Sequence, residues 1–92
     1  MPGVDQEACP LCNLNSDFEY VVGDAKKRQH FYCEQCIEFV ITSTAKRKLS
    51  GKVDKLKELS KLAASLNDDE VLHIFFEGHG IQHPIEKKKD WL

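Results

Sequence analysis

Ninety-two residues, 41% of them hydrophobic, with a formal charge of −2, suit one small domain over residues 1–92 whose core buries only a modest share of its surface. The acidic balance excludes a generically basic nucleic-acid binder, and no apolar run approaches the roughly eighteen residues of a membrane span. Residues 1–8 carry acids and no apolar stretch, so no secretory signal is expected and the chain reads as soluble and cytoplasmic.

In chain order, residues 1–8 read as a loose acidic leader. Cys9-Pro10-Leu11-Cys12 comes next, and a second CxxC, Cys33-Glu34-Gln35-Cys36, completes the chain's four cysteines. Between them residues 18–22 (FEYVV) put Phe18, Tyr20 and Val22 on one face of a predicted strand. Gly23-Asp24-Ala25-Lys26-Lys27 supplies turn chemistry, and residues 28–33 (RQHFYC) return as a second strand. Residues 38–42 make a third, with Phe39 and Ile41 opposite Glu38 and Val40.

The period then changes to about 3.6. Thr42 or Ser43 caps a short helix over 44–50, closed by Gly51. A longer helix is predicted over 53–66, where Leu56, Leu59, Ala63 and Leu66 form one stripe and Lys55, Lys57, Glu58 and Lys61 lie outside it. Asn67 with Glu70 resembles a capping box, which favours a helix over 68–77 ended by Gly78, with Glu70, His73 and Glu77 on its polar face. A buried strand over the same apolar run is the competing reading. Residues 81–92, broken at Pro84, read as an extended tail with Trp91 docking back. The expected fold is α+β: a small ribbon of two to three antiparallel strands over 9–42, then two to three helices over 43–80, then the tail.

The two CxxC pairs carry the chemistry. Each bend presents two sulfurs, and two bends complete the tetrahedral shell of one Zn²⁺ held by Cys9, Cys12, Cys33 and Cys36. A closed shell leaves no position for water or substrate, so the site is expected to hold the fold rather than to catalyse. Iron in a four-sulfur site uses the same ligands. Disulfides lack a secretory context, and a thioredoxin-type redox pair lacks its βαβ setting. Zinc binding contributes on the order of 10 kcal/mol in small metal-stabilised domains, so loss of the ion should unfold the first half.

From CPLC through the basic hairpin to F-Y-C-E-Q-C-x-E-F-x-I-T-S-T-A-x-x-x-L, residues 9–49 resemble the four-cysteine zinc ribbon modules found at the N-termini of uncharacterised prokaryotic proteins. The resemblance implies the same four ligands, an aromatic strand at Phe39, an Ile41-Thr42-Ser43 exit and a short helix containing Ala45 and Leu49. Such ribbons commonly place glycine after the second cysteine of each knuckle, where positive φ is needed; this chain has Asn13 and Ile37. A β-branched residue tolerates that region poorly, so the second knuckle is expected to differ in geometry from the first.

No nucleophile–base pair, phosphate loop or open metal site stands out, so the chain is not expected to be an enzyme. The first functional expectation is a protein-binding adaptor or regulatory module whose partner is unidentified, with self-association through the helical part as a variant. The alternative is a nucleic-acid-binding ribbon contacting phosphates through Lys26, Lys27, Arg28, Lys46, Arg47 and Lys48, since residues 24–61 hold ten basic side chains against five acidic ones. Glu70-x-x-His73 has metal-ligand spacing but no second copy, and His79 and His83 are separated by Gly80 and followed by Pro84.

Overall fold

Alternating apolar residues in consecutive short segments pair into a sheet when each segment buries one face. A computed structural model describes residues 5–20 and 28–91, with side chains as far as Lys89. Seven strands form one mixed sheet: β1 Asp5–Ala8, β2 Asn15–Tyr20, β3 Gln29–Cys33, β4 Ile37–Ile41, β5 Glu70–Glu77, β6 Gly80–Gln82 and β7 Ile85–Lys87. β1 to β4 are antiparallel neighbours, β4 pairs β5 in parallel, and β6 and β7 both pair β5. The parallel step needs a crossover, supplied by α1 Ser43–Leu49 and α2 Val53–Ala64.

The core lies between the helices and one sheet face. Register brings Phe18, Phe31, Phe39 and Leu72 into a single row across four strands, with ring centroids 5.2 Å apart for Phe18–Phe31 and 5.3 Å for Phe31–Phe39. Ala45 and Leu49 of α1, and Leu59 and Ala63 of α2, join the same buried cluster. Thr42 caps α1, its Oγ1 accepting the Ala45 N–H at 3.2 Å, and Gly51 follows the helix at φ +83°, as expected from the sequence. On the opposite face Glu19, His30, Val40 and His73 form the matching row. Here His30 pairs with Glu38 at 2.6 Å, His73 with Glu86 at 3.0 Å, and Lys88 of a 3₁₀ turn, Lys88–Trp91, reaches Glu38 at 2.8 Å.

Several expectations are corrected. The fold is a sheet with two helices, not a two- or three-stranded ribbon followed by two or three helices. Residues 70–77 are strand β5 rather than part of a helix over 68–77. Val71, Leu72, His73 and Ile74 are all buried, and consecutive buried residues, with His73 satisfied by Glu86, are what a strand covered on both faces shows. The Asn67–Glu70 signal is still used: the Glu70 carboxylate accepts the Asn67 N–H at 3.1 Å and the Glu70 N–H donates to the Asn67 carbonyl at 3.0 Å. Those bonds close a turn into β5 instead of starting a helix. Gly78, at φ +64°, then opens the two-residue turn to β6.

Residues 5–8 of the expected loose leader and residues 85–87 of the expected extended tail are also strands, and β6 runs into the tail's start. β1 is held by the Glu7 carboxylate, which accepts from Lys46 at 2.7 Å and from Gln29 at 3.0 Å. Burial raises the Glu7 carboxyl, but those two hydrogen bonds outweigh it and leave it below its ordinary value. β6 and β7 continue one register along β5, and the Pro84 carbonyl accepts the His73 N–H at 3.0 Å. Proline has no N–H to return that bond, which is why the strand divides there. The predicted 23–27 turn and the docking of Trp91 lie outside the described residues and side chains.

Phe31 is fully buried between Phe18 and Phe39, so Phe31→Ala should cost about 3–5 kcal/mol, read as a lower urea midpoint, whereas Val53→Ala at the exposed start of α2 should stay within about 0.5 kcal/mol.

Candidate metal centre

Two sharp bends bring the sulfurs together. The first lies between β1 and β2 and is closed by the Asn13 N–H on the Cys9 carbonyl at 2.8 Å and the Cys9 N–H on the Leu14 carbonyl at 2.7 Å. The second links β3 to β4, where Cys33 pairs with Ile37. Each bend needs one residue after its second cysteine in the left-handed region: Asn13 has φ +67° and Ile37 φ +70°. The expected difference between the knuckles is therefore corrected; β4 pairing forces Ile37 into the conformation that Asn13 adopts easily.

The four Sγ atoms all lie within 4.8 Å of one another, with Cys12–Cys33 at 3.3 Å and Cys9–Cys36 at 3.8 Å. A tetrahedral shell with metal–sulfur bonds of about 2.3 Å spaces its sulfurs roughly 3.8 Å apart. All four cysteines are free thiols rather than disulfides. Cys9, Cys33 and Cys36 are buried and Cys12 is half-buried. Contact with Cys9, then burial, pushes the Cys36 thiol up; burial pushes Cys12 up to about 11; contact with Cys36 pulls Cys9 down to about 5. Four thiolates this close repel one another unless a divalent cation sits among them, so the donor set fits a metal ion such as zinc.

One further group touches the cluster. Ser60 of α2 is buried, and its Oγ lies 3.0 Å from the Cys36 Sγ. Beside a thiolate only the hydroxyl can donate, so the helix that covers the sheet is hydrogen-bonded to a candidate ligand. In the sequence Ser60 is visible only as a polar residue next to the apolar stripe of 53–66.

The other predicted site residues divide. Lys26 and Lys27 lie outside the described residues. Arg28 lines a concavity with Thr42, Thr44, Phe75 and Phe76. Lys46 is bound to Glu7 and Gln29, each at 2.7 Å. Arg47 is exposed, and the Lys48 ammonium lies 5.0 Å from the Phe76 ring centroid. Glu70 and His73, three apart on a strand, point to opposite faces and hold no common site. Among the described residues the cysteines are the only cluster of three or more metal-binding side chains, so His79 and His83 do not join it.

Charge is segregated. Residues 5–20 contain four acids and no base, whereas residues 43–66 contain seven basic side chains against Asp54 and Glu58. Two concavities flank the α1–α2 junction: one of about 680 Å³ lined by Pro10, Leu11, Leu56 and Lys46, Lys57 and Lys61, and one of about 480 Å³ lined by Phe76, Ile81 and Lys48, Lys52 and Lys55. Neither is lined by a carboxylate. Among the described residues no helix is long and apolar enough to cross a membrane.

Compared with protein-family models, curated proteins and solved structures, the chain finds no match in any of the three, and so no family match supports the ribbon resemblance.

Two substitutions separate strain from ligation. Ile37 is 54% exposed, so Ile37→Gly removes little buried area and should stabilise the chain by about 1 kcal/mol by relieving the left-handed strain, read by urea unfolding. Ser60→Ala should lower metal affinity about 10- to 100-fold, measured by chelator competition.

Proposed function

We propose that this chain is a non-catalytic, zinc-stabilised module that binds nucleic acid through its helical layer. The cysteine cluster supports the first half of this reading: four thiolates fill a tetrahedral shell and leave no coordination position for water or substrate. The observation that carries the second half is the charge segregation. A chain of net charge −2 concentrates Arg47, Lys48, Lys52, Lys55, Lys57 and Lys61 on one layer, and a local positive field attracts phosphates whatever the overall balance. Lys46, tied to Glu7, contributes to the field but less to direct contact.

The protein-binding reading rests on a different place. Leu14 and Ile37 are 43% and 54% exposed at the exits of the two knuckles, and Ile37 holds a strained backbone there. An exposed, strained apolar side chain favours a protein partner at the cluster end of the sheet.

Metal analysis of the purified chain should give one zinc per molecule. Fluorescence anisotropy at low salt should detect binding to labelled oligonucleotides, with Lys57→Gln and Lys61→Gln each reducing the slope of log K against log salt by about 0.7–0.9. Absence of binding to both single and double strands at low salt would remove the nucleic-acid reading and leave the Leu14–Ile37 surface.

A further inference from the structure

Phe76 occupies an unusual position for a half-buried aromatic. It lies near the end of β5 and lines two adjoining concavities at once. The first, about 480 Å³, is walled by Lys48 and Leu49 of α1, by Lys52 and Lys55, and by His79 and Ile81 of the β5–β6 hairpin. The second, about 520 Å³, shares Phe76 and is otherwise lined by Arg28, Thr42, Thr44, His73, Phe75 and Glu77, so the lysines, and with them the phosphate contacts, belong to the first. The ring is covered on the first side by the Lys48 ammonium, 5.0 Å from its centroid. Lys55 pairs with Glu58 at 3.5 Å, a long and exposed contact that a phosphate can replace.

We infer that the groove around Phe76 is a subsite for one unpaired base of a single-stranded nucleic acid, with Lys48, Lys52 and Lys55 on the flanking phosphates. This rests on the nucleic-acid function proposed for the helical layer and specifies which form of nucleic acid that layer takes. A base stacked on an aromatic ring is a stronger contact than an exposed ammonium over the same ring, so the base displaces Lys48 and frees it for phosphate. Duplex bases are already stacked on one another and present no face to such a ring. A stretch of acidic peptide would satisfy the lysines but would leave the ring without a planar partner.

The test uses the full zinc-loaded chain, a labelled short oligothymidine and a labelled duplex of matched length. Single strand should bind more tightly than duplex. Phe76→Leu, which keeps the groove apolar, should weaken single-strand binding about tenfold and leave duplex binding unchanged, while Phe76→Tyr retains both. Lys48→Gln should lower the salt slope for single strand by about 0.7. Thermal unfolding checks that each variant remains folded. If both polymers bind but Phe76→Leu behaves as the parent, or polyglutamate competes as well as oligothymidine, the base subsite is overturned while the basic layer stands. If neither polymer binds, the functional reading itself falls and takes the subsite with it.

Discussion

Four sulfurs within 4.8 Å of one another are the constraint on which the rest of the architecture depends. They fasten the turn before β2 to the turn before β4, and through Ser60 they reach α2. Without them the sheet would rest on short strands and a core of modest size, the situation in which small domains use a metal as a staple. Ionised thiols at this distance repel one another, so a divalent cation bound among them would be a structural component and not an accessory. The cost of the tight turn is visible at Ile37, held at φ +70°.

The cysteine cluster was legible because its signal is spacing, which survives any uncertainty about secondary structure. Both helices were legible for a similar reason: α1 has its Thr42 cap and Gly51 stop, and the stripe of α2 has no strand alternative. β5 was not. Asn67 and Glu70 make the capping-box contact in the folded chain, yet the conformation of the residues after Glu70 is decided by burial on both faces of the sheet, a tertiary fact that a short apolar run does not announce. β1 was missed because its four residues are mostly polar and exposed, and its partners, Lys46 and Gln29, lie far along the chain.

The basic surface shows how sequence proximity misleads. Lys46, Arg47 and Lys48 are consecutive, but one is bound to Glu7, one faces solvent and one lies over Phe76. A helix turns about 100° per residue, so three neighbouring cations address three directions. The groove joins Lys48 to Lys52, Lys55 and Phe76 because the crossover carries α1 and α2 beside β5. That parallel pairing, absent from a plain hairpin meander, is what sets an aromatic strand end next to the lysines.

The order of the chain gives the cysteine cluster a consequence for biosynthesis. All four cysteines lie within residues 9–36, whereas Ser60 and β5 come later. A ribosome releasing the chain from its N-terminus exposes a complete set of thiols, on locally paired strands, before the helix that covers them has emerged. A metal bound by this cluster would therefore enter before the core closes, and the later arrival of α2 would seal it in place.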